Sequence, residues 1–282
     1  MSTPPKPVPL VQGVLGAASG KRLVLVEGPA DKTVYSAWLK KLAYPGLFSA
    51  KVIVQDVNGK SGIITALEWF RDQGDNPGHL YGIVDRDEWD AAKIAAITAA
   101  LPQLLVVAGR DCLESYFADP DELEPSLKAE NPAYTAQIPA FRAFLEASLP
   151  ARVAHWAVFM TTERIKERMN AAVYPGAFHA TIPIPADADI RNRFQIWAGL
   201  VAHPQLFNEF DALRGQALAA LASVQFRSHV SAKRFFEEVV HSAQEGLQRF
   251  RVKSETTWRL DLAENAPAVP GDIAAILQPL LA

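Results

Sequence analysis

"RLVLVEGPADKTVYSAWLKKL", residues 22–42, changes its period halfway along. RLVLV is a continuous apolar run of strand length, GPA is a turn, and DKTVYSAWLKKL places apolar residues at helical spacing through Val34, Trp38 and Leu42. The spacing predicts strand, turn, helix. The unit recurs downstream: KVIVQDV (51–57) is a strand, NGKSG a turn and IITALEWFRDQ a helix, followed by HLYGIVD (79–85) as a strand and DAAKIAAITAAL as a helix. LLVVAG (104–109) makes a fourth strand. Strands that are apolar on both faces and alternate with helices imply a parallel sheet covered on both sides through right-handed crossovers. The expected fold class is therefore α/β, doubly wound with a mostly parallel sheet.

After residue ~125 the strand rhythm stops, and residues 138–250 read almost entirely as helices. The expected organisation is an extended N-terminal arm over residues 1–20, where prolines cluster, an α/β core over 21–125, and a mainly helical subdomain over 126–282. The closing PGDIAAILQPLLA reads as a short helix after a proline-bearing turn.

The chain has 282 residues, about half of them apolar and a fifth charged, which is the composition of a globular protein. Its net charge of −3 supplies no global field to attract phosphate, so a nucleic-acid partner must be met by local basic groups or bound metal ions. A single cysteine, Cys112, excludes an intramolecular disulfide framework and a Cys metal cluster; buried packing is its expected role. The N-terminus lacks the charged start and apolar stretch of a signal peptide, and no run approaches about 20 uninterrupted apolar residues. A reducing cytoplasm is the expected compartment, with no membrane span.

Acids gather at the carboxyl ends of the predicted strands. Glu27 ends the first, Asp31 begins the helix after it, Asp85 ends the third, and Asp87 follows on the same side if the chain stays extended. Ligands of open α/β sheets bind beyond this edge. If the first and third strands are neighbours, the four carboxylates face one small volume and need a counter-charge. A hard divalent cation such as Mg²⁺ or Mn²⁺ prefers such oxygen ligands and leaves positions for water and substrate phosphate. Capping accounts for Asp31 equally well, and Asp90 is placed to cap the helix starting at Ala91.

Two other phosphate-binding patterns fail on spacing. GAASGKR and NGKSG lack the first glycine of a P-loop, where Leu15 and Val54 stand. DRDEW has Trp89 where a haloacid-dehalogenase-like phosphatase carries Thr or Val.

LVLVEGPAD followed by GIVDRD resembles the Toprim domain, with its strand-end Glu, an Asp four residues on, and an Asp-x-Asp at a later strand end. DCLESYFADPDEL (111–123) and HVSAKRFFEEVV (229–240) resemble segments of the OLD-like Toprim nucleases, and the isolated Toprim with a helical annex is most similar to the AriB-type effectors of PARIS anti-phage defence systems. The resemblance implies a metal-dependent nuclease cleaving DNA or RNA and a separate ABC-type ATPase partner; a homodimer is a further expectation. It assigns Glu27, Asp85 and Asp87 to one Mg²⁺ or Mn²⁺, Asp31 and Glu114 to a second ion, and Lys233 to the scissile phosphate, although Ala232 stands where that branch has glycine. Arg164, Lys166, Arg168, Arg191, Arg193 and Arg234 are candidate nucleic-acid contacts, with a solvated helix face as the alternative for each. Trp156, Trp197 and Trp258 read as core or interface rather than as platforms for stacked bases. A Toprim module that binds without cutting, or a small-molecule phosphohydrolase, would use the same acids.

Overall fold

The computed structural model describes residues 4–18, 20–43, 50–75, 77–87, 89–166, 187–200, 204–222, 227, 229 and 254–282. They form two compact units, one comprising residues 1–109, 121–136 and 250–282 and the other residues 110–120 and 137–249.

The first unit is built on four parallel strands: β1 (Arg22–Val26), β2 (Val52–Asp56), β3 (Leu80–Asp85) and β4 (Leu104–Val107). Their spatial order is β2-β1-β3-β4. Leu23 pairs with Ile53 on one side and Leu80 on the other, and Asp85 lies opposite Val107. Helices α1 (Val8–Ala17), α2 (Pro29–Leu42), α3 (Lys60–Asp72) and α4 (Ala91–Ala100) accompany the strands. One layer of the core joins Val11 of α1, Leu23 and Leu25 of β1, Ile63, Leu67 and Phe70 of α3, and Leu80 and Val84 of β3. Gly82 lets α3 lie this close, because a Cβ there would overlap Ile63 Cγ2.

Two features depart from the sequence expectation. Residues 8–17 are a helix rather than an extended arm. Pro7 sits at the N-cap and Pro9 in the first turn, where the missing N–H has no intrahelical partner to lose, and burial of Val8 and Val11 draws the segment onto α3. The C-terminal segment also joins the α/β unit instead of extending a helical subdomain over 126–282. Helix α9 (Glu255–Asn265) packs on α2, and α10 (Gly271–Leu277) reaches β4. Arg22 Nη1 donates to the Leu280 carbonyl at 3.1 Å, and Lys51 Nζ donates to the carbonyls of Leu281 and Ala282 at 2.9 and 3.0 Å. These contacts satisfy the last carbonyls with cations, as helix ends favour. Helix α5 (Pro120–Glu130) carries the chain between the units.

The second unit packs α6 (Ile138–Lys166), α7 (Asp187–Leu200) and α8 (Leu206–Ala220) around Trp156, Phe194, Trp197 and Phe210. Phe194 meets Phe210 edge-on with centroids 5.1 Å apart. Trp156 and Trp197 here, and Trp258 in the first unit, are all buried, as their apolar settings predict.

Candidate metal and phosphate site

The chain crosses from β1 to β2 on one side and then, through α3, to β3 on the other. The carboxyl ends of β1 and β3 are therefore the point where the winding reverses, which is where open α/β sheets leave a crevice. Glu27 and Asp85 stand at those two ends.

Glu27 is held from both neighbouring strands. Its carboxylate Oε1 accepts the Asp85 amide at 3.1 Å, and its backbone carbonyl accepts the Gly59 amide at 2.7 Å. The second bond needs a sharp turn after β2. Asn58 and Gly59 provide it with φ of +62° and +98°, a region that asparagine and glycine enter at least cost. Gly62 completes the approach, since a Cβ there would collide with the Val57 carbonyl. The loop after β2 is thus fitted against the end of β1 by three residues with special backbone requirements.

Asp31 occupies the first turn of α2 and accepts the Gly28 amide through Oδ2 at 2.9 Å, which is the capping geometry open to it from sequence. Asp90 caps α4 by accepting the Lys93 amide at 2.8 Å. Asp87 is placed differently from the expectation. The chain stops being extended after Asp85, and Asp87 has φ +46°, so the two aspartates do not line one face of a strand. Asp87 Oδ2 instead lies 2.9 Å from Lys60 Nζ, with both side chains only 13% exposed. The Lys60 ammonium also sits 4.4 Å from the centre of the buried Trp89 ring.

Lys60 is the site residue that sequence reasoning passed over. Its signal was available: a lysine directly after an Asn-Gly turn, at the carboxyl edge of a parallel strand.

Glu114 belongs to the second unit, in a 3-10 turn over Leu113–Phe117. The loop around it closes on Arg110, whose Nη1 donates to Asp119 Oδ2 at 2.7 Å and to the Ser115 carbonyl at 3.3 Å, and whose guanidinium stacks 4.2 Å from the Tyr116 ring centre. Arg227 Nε lies 2.8 Å from the same Asp119 oxygen, and Arg152 Nη1 donates to the Ala118 carbonyl at 3.2 Å. Burial pulls the Arg152 guanidinium down to about 10, with Asp119 the largest opposing influence, so it stays charged at neutral pH. Cys112 is buried in this loop, as expected.

Of the basic candidates, Arg191 makes a two-pronged pair with Asp211 at 2.8 and 3.4 Å, and Arg193 is exposed on the same helix. Arg164 and Lys166 lie on α6, with side chains outside the described set; Arg168, Lys233 and Arg234 lie outside the described residues.

The donor chemistry at the switch point is all carboxylate, which fits a hard divalent cation. Among the described residues no three His, Cys, Asp or Glu side chains stand together in a metal-holding group. The geometry joins Glu27 to the Asp85 backbone and gives Asp87 a lysine as its cation.

Residues 20–87 match the TOPRIM domain of the family described as overcoming lysogenization defect protein-like. The matched stretch contains β1, β2, β3 and both acid motifs, and it supports the OLD-like branch of Toprim proteins. The parallel four-stranded sheet with its helices is a Toprim-type α/β fold. Toprim domains generally bind Mg²⁺ through acidic residues and are typically metal-dependent nucleases or topoisomerases. No curated protein matches the chain. Among the described residues no helix is long and apolar enough to cross a membrane.

Proposed function

We propose that the protein is a divalent-metal-dependent nuclease of the Toprim type, hydrolysing phosphodiester bonds in DNA or RNA at the carboxyl ends of β1 and β3. The observation that carries this reading is the hold on Glu27: the Asp85 amide fixes its carboxylate and the Gly59 amide its backbone, inside the stretch that matches a Toprim domain. A carboxylate held at both ends loses little freedom on meeting a ligand, which is the pre-organisation a metal ligand requires.

Glu27, Asp85 and Asp87 would hold Mg²⁺ or Mn²⁺, which when bound polarises a phosphate oxygen and lowers the pKa of a water nucleophile. Asp31 and Glu114 are assigned to a second ion. Lys233 is assigned to charge that develops on the departing oxygen.

Purified protein incubated with plasmid, single-stranded DNA and tRNA, in Mn²⁺ and in EDTA, tests the reading. Cleavage that requires the metal and is lost in Glu27→Gln supports it; binding without cleavage favours a silent Toprim module, for which the Lys60–Asp87 pair argues because it gives Asp87 a resident cation. The likeness to AriB-type effectors extends the proposal to phage defence with a separate ABC-type ATPase. Activity that appears only when such an ATPase is added would support that extension.

A further inference from the structure

Lys60 has a placement that helix stability does not explain. It is the first residue of α3, at the positive end of the helix dipole, where acids are favoured and a lysine is not; the first turn holds no acid to compensate. Its ammonium is nevertheless collected by Asp87 at 2.9 Å, by the face of Trp89 at 4.4 Å, and lies 3.5 Å from the Arg86 carbonyl. Its backbone neighbour Gly59 is the residue that grips the Glu27 carbonyl, so the root of the side chain is fixed beside the end of β1.

We infer that Lys60 is a tethered cation that occupies Asp87 until a divalent ion takes that carboxylate, and that the released ammonium then pairs with a phosphate oxygen of the nucleic-acid substrate. The inference rests on the metal-dependent reading above. Its logic is charge exchange. A divalent ion bound among Glu27, Asp85 and Asp87 repels an ammonium a few ångströms away. The four-carbon stem of lysine lets the head relocate while the backbone stays in place, which the rigid guanidinium fork of arginine does less readily. The arriving phosphate supplies the negative charge that Asp87 gave up. Without metal, the same ammonium is the cation paired with Asp87.

Mass-spectrometric lysine labelling of the full chain in EDTA and in Mg²⁺ tests the exchange directly. Lys60 is expected to react slowly in EDTA and several-fold faster with Mg²⁺, while Lys32, which is 40% exposed, does not change. In calorimetric titration Lys60→Met should bind Mn²⁺ about fivefold more tightly than wild type, because the ion no longer displaces an ion pair. The same variant should bind a single-stranded oligonucleotide in Ca²⁺ more weakly, with a shallower salt dependence. If Mn²⁺ binds, Asp85→Asn abolishes that binding, and Lys60 labelling is unmoved by metal, Lys60 is a fixed prop: the exchange is overturned and the metal reading stands. Weaker Mn²⁺ binding by a folded Lys60→Met overturns the exchange as well. Absence of Mn²⁺ binding to wild type removes both proposals. Wild-type labelling decides the matter even if the variant does not fold.

Discussion

Asp119→Asn is expected to destabilise the second unit by about 3 kcal/mol, and Asp211→Asn in the same unit by about 0.5 kcal/mol or less. The two pairs are nearly equal in length: Arg110–Asp119 is 2.7 Å and Arg191–Asp211 is 2.8 Å. Burial separates them. Arg110 and Asp119 are 5% and 4% exposed, whereas Arg191 and Asp211 are 40% and 50% exposed. Breaking a buried pair strands the surviving charge and costs about 3–5 kcal/mol, against about 0.2–1 kcal/mol for an exposed pair. The lower end applies to Asp119, because asparagine keeps one acceptor for Arg110 and because Arg227, its other partner, is 25% exposed. Arg152 adds to the cost, since Asp119 is what most supports its charge against burial. Urea unfolding of both variants, followed by far-UV circular dichroism, gives the comparison. Equal losses, or a loss at Asp119 within 1 kcal/mol of zero, would refute the reading of Arg110–Asp119 as a buried ion pair that stabilises this unit.

Gly82→Ala should cost about 1–2 kcal/mol by urea denaturation: overpacking against Ile63, Leu67 and Leu104 exceeds the gain from a stiffer unfolded chain. Asp90→Ala removes the cap on Lys93 N and should lower stability by about 1 kcal/mol, with faster hydrogen exchange confined to the start of α4. Mn²⁺ at a hundred times its dissociation constant should stabilise wild type by about 2.7 kcal/mol in a thermal-shift assay and leave Asp85→Asn unmoved.

The alternation of period that begins at Arg22 carried most of the α/β architecture, because strands buried on both faces and helices buried on one write different patterns. It also carried the placement of Glu27 and Asp85, which needed only the adjacency of β1 and β3. The position of Asp87 was not legible, since it depends on a left-handed residue just past the strand, and aspartate enters that region without leaving a glycine as a marker. The N-terminal prolines read as an extended arm because a first-turn proline and a loop proline look alike until burial of Val8 and Val11 distinguishes them. The seating of α9 on α2 joins residues more than two hundred positions apart, and local periodicity carries no information about such a contact.

That seating sets a timetable for synthesis. Residues 22–42 emerge from the ribosome more than two hundred residues ahead of the helix that packs on α2, with its buried Trp258 and Leu262. At bacterial or eukaryotic elongation rates the nascent unit spends roughly 10–50 s with that flank bare to solvent, proteases and chaperones. A product that stalls before residue 255 would lack the flank's cover altogether, which leaves unfinished copies open to proteolysis.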